Sequence, residues 1–121
     1  MTKVLVTDDA AFMRVRMTNL LAQEGFDVFQ AVSGQQAVAM YAHCKPDVVL
    51  MDLSMVEGEE IGSVEKIRLI DPEARMIVIS SIGQESQVIE ALHRGACDFI
   101  VKPINQYCLL HKIHNLERAC V

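Results

Sequence analysis

The stretch Val48–Glu60, VVLMDLSMVEGEE, decides how this chain folds. Val48, Val49, Leu50 and Met51 form an unbroken apolar run with no polar alternation. A run of that kind belongs to a strand covered on both faces, which is the habit of a parallel sheet. It stops on an ionisable group, Asp52. Leu53 follows, and then a loop carrying Glu57, Glu59 and Glu60. A carboxylate at the mouth of a buried strand is costly unless a positive charge meets it. The rest of the chain has to supply that charge.

Outward from this stretch, the periodicity alternates. KVLVT (3–7) reads as a strand, and AFMRVRMTNLLAQEG (11–25) has helical spacing through Met13, Met17, Leu20 and Leu21, with Gly25 as its stop. FDVFQA (26–31) is a second strand. Ser33 is placed to cap the helix GQQAVAMYAHC (34–44), which ends before Pro46. DVVLM (47–51) is the third strand. A helix over 61–70 follows, and the turn DPE (71–73) separates it from the strand RMIVIS (75–80). QESQVIEALHRG (84–95) is helical, with Val88, Ile89 and Leu92 apolar and Gly95 as its end. CDFIV (97–101) is the fifth strand. A last helix over 105–119 sets Leu109, Ile113, Leu116 and Cys120 on one face. Strand and helix alternate in units of about 20 to 25 residues with short loops, which predicts one α/β domain over 1–121: a parallel sheet with helices on both faces.

Composition narrows the function. The 121 residues carry a net charge of −5, so nothing favours binding nucleic acid. No apolar run reaches a membrane span and no signal pattern opens the chain, so a cytoplasmic location is expected. Cys44, Cys97, Cys108 and Cys120 are scattered and read as small buried or half-buried hydrophobes in a reducing compartment. His43, His93, His111 and His114 are equally dispersed. Cys108, His111 and His114 recur every three residues, a step that drifts around a helix, so a structural or surface role is expected of them rather than metal ligation. The seven methionines read as core filling. No exposed apolar face stands out, so a monomer is expected.

In open parallel sheets, ligands bind at the carboxyl ends of the strands. The first strand ends at Asp8-Asp9, the third at Asp52, the fourth at Ser80-Ser81 and the fifth at Lys102-Pro103. Each has a structural reading alone: Asp9 as a helix cap, Ser80 as a polar terminus, Lys102 as a solvated side chain. Together those readings require every polar strand end to be coincidence. Three carboxylates crowded on one edge call for a hard divalent cation. Mg²⁺ suits them, because it binds one or two carboxylates, keeps several waters and accepts phosphate oxygens. One carboxylate can then stay ionised as a nucleophile toward a phosphoryl group, with Lys102 and Ser80 stabilising the transferring oxygens.

This combination resembles the response-regulator receiver domain over essentially the whole chain. DDAAFMR (8–14) and GACDFIVKP (95–103) look particularly like the stand-alone chemotaxis regulators of that family. The resemblance implies a flavodoxin-like (βα)5 fold with strand order 2-1-3-4-5. It implies that Asp52 is the phosphoacceptor, and that Asp9, Asp52 and the backbone carbonyl of Ser54 bind Mg²⁺ while Asp8 acts mainly through water. Lys102 would pair with the phosphoryl group and be joined to Pro103 by a cis peptide bond. Ser80 would move toward the phosphoryl group and Phe99 would swing into the space it leaves. Phenylalanine has no hydroxyl to bond outside, so packing alone would bias that swing. The surface that changes would span the fourth helix, fifth strand and fifth helix, with Val88, Phe99, Val101 and Lys112 as candidate partner contacts.

The implied partners are a histidine kinase as phosphodonor and the flagellar motor switch. HKIHNLER (111–118) serves either that partner surface or a solvated helix end. The chain would catalyse only its own phosphorylation and dephosphorylation, so it is not expected to be an enzyme acting on a separate substrate. Two related readings are a phosphorelay intermediate and the receiver of a longer DNA-binding regulator. An aspartate-nucleophile phosphatase would need a second Asp where Ser54 stands. A flavin phosphate would be repelled by the acidic strand ends, and no phosphate loop follows the first strand.

The chain departs from the family pattern after Asp52. The usual proline four residues on is Val56, the usual glycine eight residues on is Glu60, and the nearest glycine is Gly58. Intact chemistry with a more mobile loop is expected, with Glu57, Glu59 and Glu60 facing water. Ser54 and Ile82 stand where the family controls the attacking water. Ile82 has no group to orient it, so slow self-dephosphorylation is expected.

Overall fold

A computed structural model describes residues 2–55 and 59–118. The elements are β1 (Lys3–Thr7), α1 (Ala11–Gln23), β2 (Asp27–Ala31), α2 (Gly34–Cys44), β3 (Val48–Asp52), α3 (Glu60–Ile70), β4 (Met76–Ser80), α4 (Glu85–Arg94), β5 (Asp98–Val101) and α5 (Gln106–Arg118). The strands form one parallel sheet in the order β2-β1-β3-β4-β5, the flavodoxin-like arrangement. Asp52 pairs with Ile79 and Ser80 with Val101, so the polar ends of neighbouring strands finish along one edge.

Every residue of β3 and β4 is buried, as their unbroken apolar runs require. Alternate side chains serve opposite layers. Val49, Met51, Met76 and Val78 pack with Tyr41, Val64 and Ile67 from α2 and α3 and with Ala91 from α4. Val48, Leu50, Ile77 and Ile79 pack with Leu21 of α1 and with Leu109 and Ile113 of α5. Leu116 joins that second layer, and Cys120 lies outside the described residues.

Local signals act where the chain places them. The Ser33 hydroxyl accepts the Gln36 N–H at 3.1 Å and the Gln36 side chain accepts the Val32 N–H at 2.7 Å, a reciprocal cap for α2. Gly95 ends α4 at φ +132°, where a Cβ would also meet Arg68 at 3.0 Å.

Three expectations need correction. Cys97 and Cys108 are exposed, the one just before an edge strand and the other on α5, whereas Cys44 is half-buried as expected. Exposed apolar side chains do gather: Phe12 and Val15 on α1, and Ile89, Phe99, Val101 and Tyr107 along α4, β5 and α5. A monomer therefore does not follow from a lack of exposed apolar surface. Val88 is only 7% exposed and belongs to the core, so it is not a surface contact; Ile89 beside it faces out. Among the described residues no helix is long and apolar enough to cross a membrane.

Candidate functional site

Asp52, the last residue of β3, is 3% exposed. Lys102 Nζ donates to its Oδ2 at 2.7 Å, and the Ser54 N–H donates to its Oδ1 at 2.7 Å. The lysine follows β5, and its stem crosses the end of β4 to reach β3. Its backbone N–H is held by the Ser80 carbonyl at 2.8 Å, continuing the β4–β5 ladder one step past the strand. A buried carboxylate is tolerated when charge and hydrogen bonds meet it together. Both meet Asp52, and the cost posed by the apolar run is offset.

Asp8 follows β1 and is buried, and its Oδ1 accepts the Ala10 N–H at 2.9 Å. Arg14 Nη1 donates to the Asp8 carbonyl at 2.9 Å, tying α1 to the end of β1. Burial first, and then the Asp52 charge, push the Asp8 carboxyl up to about 6. Ala10, and not Asp9, takes the N-cap position of α1. Asp9 instead lines a cleft with Met55, Glu59 and Glu60. Ser80 is fully buried at the end of β4, and Lys102-Pro103 is cis.

The donor set fits a hard divalent cation. Asp8, Asp9 and Asp52 stand at one edge with the Lys102 ammonium, and the Asp52 charge adds to the rise that burial gives the Asp8 carboxyl. Among the described residues no three acidic, histidine or cysteine side chains converge closely enough to enclose an ion unaided. Mg²⁺ asks for less, since it needs few carboxylates and completes its shell with water and carbonyl oxygens.

Two further polar residues, Glu60 and Gln84, stand beside these strand ends. Glu60 does not face water: it is 4% exposed, at the first position of α3, with Oε1 lacking a hydrogen-bond partner. Burial chiefly raises its pKa, and the charges of Asp52 and Asp9 add to the rise. Gln84 joins the loops after β3 and β4. Its Oε1 accepts the Ser81 N–H at 2.7 Å and the Ser54 hydroxyl at 3.3 Å, and its Nε2 donates to the Leu53 carbonyl at 3.2 Å. The expected mobile loop concerns Val56, Glu57 and Gly58, which lie outside the described residues.

Away from the acids, Phe99 is 38% exposed, and Lys112 Nζ sits 5.2 Å from its ring centroid. The expectation that packing alone biases this aromatic is therefore corrected, because a cation–π contact contributes. Val101 is exposed and Lys112 is partly shielded by its contacts to Asp98 and Phe99. Ile82 is 84% exposed. It stands at one wall of an apolar cleft that runs from Lys102 and Pro103 to Met13, Met17 and Leu20 of α1.

The profile of the response regulator receiver domain matches residues 4–114. The chain is 40% identical to chemotaxis protein CheY of Thermotoga maritima over 96% of its length and 98% of the relative's. It is 43% identical to chemotaxis protein CheY of Bacillus subtilis, over 93% of this chain and 94% of that one. Among solved structures it is similar to the CheX-CheY-BeF3-Mg²⁺ complex from Borrelia burgdorferi. That match has a TM-score of 0.86 and 32% identity, and covers 95% of this chain and 88% of the other.

Proposed function

Because this chain belongs to the response regulator receiver family of two-component signalling, we propose that Asp52 accepts a phosphoryl group from a histidine kinase and that the modified domain controls a chemotaxis partner. The observation that carries this reading is the buried Asp52 carboxylate held by Lys102 at 2.7 Å on an edge with two further aspartates.

The ionised Asp52 attacks phosphorus, an Oδ–P bond forms, and the P–N bond of a phosphohistidine breaks with its electron pair going to the imidazole, which takes up a proton. Lys102 moves its ammonium from the carboxylate to a phosphoryl oxygen, and the Ser80 hydroxyl turns toward the same oxygens. Asp9, Asp52 and the Ser54 carbonyl would hold a divalent cation, with Asp8 acting through water, and the chemistry it would supply there is neutralisation of the charge on those oxygens. The Borrelia relative, crystallised with beryllium fluoride and Mg²⁺, supports that choice of ion. The chain turns over no separate substrate.

Relatives named for chemotaxis support an output to the flagellar motor switch. The apolar cleft beside Lys102 offers the phosphodonor a seat next to the reacting carboxylate. Phe99 is the switching aromatic, and Ile89, Val101 and Tyr107 extend the output surface along α4, β5 and α5. The domain works in the cytoplasm and contacts neither nucleic acid nor membrane.

Incubation with acetyl phosphate and Mg²⁺, read by intact mass, tests this directly. One added phosphoryl group that requires Mg²⁺ and is lost in Asp52→Asn is the expected result. No uptake from any donor would leave a phosphorylation-independent interaction module.

A further inference from the structure

Gln84 takes no part in the chemistry described so far, yet its side chain holds both residues that follow Asp52. Its amide donates to the Leu53 carbonyl at 3.2 Å and its carbonyl accepts the Ser54 hydroxyl at 3.3 Å. The same carbonyl also takes the Ser81 N–H at 2.7 Å, which anchors the clamp to the loop after β4. The Ser54 hydroxyl stands 3.2 Å from the Ser81 hydroxyl as well. Gln84 is half-buried at the N-cap of α4 and makes no side-chain bond to its own helix, so the amide is directed across the loops instead.

We propose that Gln84 is a positioning residue that lengthens the life of the phosphoaspartate by sequestering the Ser54 hydroxyl. The proposal rests on Asp52 being the phosphoacceptor. A serine hydroxyl has one proton to donate. Gln84 takes it, and the Ser81 hydroxyl lies where it engages the oxygen. Ser54 is the one hydroxyl attached to the segment whose N–H bonds Asp52, so it is the group nearest in sequence that could orient water there. In the hydrolysis a water oxygen attacks phosphorus and the Oδ–P bond breaks with its electron pair returning to Asp52. The water's protons go to the departing phosphate and solvent. With its proton directed to the Gln84 carbonyl and the Ser81 hydroxyl against its oxygen, the Ser54 hydroxyl is turned toward the loop after β4 instead of toward that water.

The test compares wild type, Gln84→Met, Ser54→Ala and the double variant. Methionine keeps the stem volume and removes all three hydrogen bonds. Each protein is first loaded with acetyl phosphate and Mg²⁺ and weighed, and then the loss of the phosphoryl group is followed after donor removal. Failure of wild type to load overturns the function reading itself, separately from this one. A freed hydroxyl is worth about one hydrogen bond, so decay in Gln84→Met should be roughly 3- to 10-fold faster than wild type. Ser54→Ala sets the decay rate without the hydroxyl, and the double variant should decay at that same rate rather than at the faster rate of Gln84→Met. A Gln84→Met decay equal to wild type overturns the proposal. So does a double variant that decays as fast as Gln84→Met, because loop loosening without the hydroxyl would then account for the effect.

Discussion

The ammonium of Lys112 lies 5.2 Å from the centre of the Phe99 ring while bonded to the Asp98 carboxylate at 2.9 Å and to the Phe99 carbonyl at 2.7 Å. Of these three contacts from one side chain on α5, the two hydrogen bonds hold the ammonium in place and the third bears on the partly exposed ring of Phe99 itself. A cation–π contact at a partly exposed ring is worth about 0.5–1 kcal/mol, enough to move a two-rotamer ratio roughly 2- to 5-fold. Lys112→Met keeps the stem and removes the charge. Its Phe99 ring should populate the inward rotamer more before any phosphorylation, seen by NMR as shifted and broadened ring resonances. Ring signals unchanged from wild type would show that packing sets the rotamer.

The raised Asp8 pKa fixes a pH dependence for the cation-free protein. Its folded value of about 6 exceeds the ordinary 3.8, so between those pH values the native state holds more protons than the unfolded chain. Stability conferred by protonated Asp8 is therefore present below about pH 4 and is lost as pH rises through 6. Glu60 acts in the same direction. Asp71, held low first by the Tyr41 hydroxyl, acts oppositely, and its contribution is lost as pH falls below the ordinary value of 3.8. Urea unfolding in EDTA should show stability declining from pH 4.5 to 7, and Asp8→Asn should flatten that decline. The variant should gain on the order of 1–3 kcal/mol at pH 7. A flat wild-type profile would refute the assignment.

What the sequence exposes and what it hides divide along physical lines. β3 and β4 are legible because both faces are buried, which leaves no position free to be polar until Asp52 and Ser80. The strand-end acids and Lys102 are legible because a parallel sheet sends every carboxyl end to one edge. Val88 is misplaced by sequence because α4 buries a narrow stripe: Val88 and Ala91 lie within it and Ile89 does not. Glu60 reads as surface because a glutamate opening a helix usually is one. Its burial follows from tertiary packing near Met55 and Asp9. Gln84 and Lys112 gain their roles only from contacts across 31 and 13 residues, which no local pattern encodes.

Glu60 leads to a third prediction. A nearly buried carboxylate with an unpartnered oxygen, in the field of Asp9 and Asp52, adds to the negative potential that attracts a cation. At the effective dielectric of a protein surface that attraction amounts to about 1 kcal/mol at moderate separation, or roughly 5-fold in affinity. Calorimetric titration of unphosphorylated protein with Mg²⁺ should give weaker binding in Glu60→Gln by about that factor. The variant should also resist urea better without cation, since a buried charge has gone. Unchanged affinity would place Glu60 outside the cation's reach.

Ile82 supplies the last test, at the outer wall of the site. It follows Ser81, is 84% exposed and stands beside the cleft that leads to Lys102. A side chain this exposed contributes little to the core, so substitution there should leave stability nearly unchanged. Its apolar surface offers a water no hydrogen bond, and water approaching the phosphoryl group from that side meets no acceptor to align it. Ile82→Glu places a carboxylate there that can accept the water's proton and direct its oxygen toward phosphorus. Phosphoryl decay in the variant should quicken by about 10-fold, with loading by acetyl phosphate still dependent on Asp52 and Mg²⁺. Decay no faster in Ile82→Glu than in wild type would mean that water reaches the phosphoryl group by a path that does not pass residue 82.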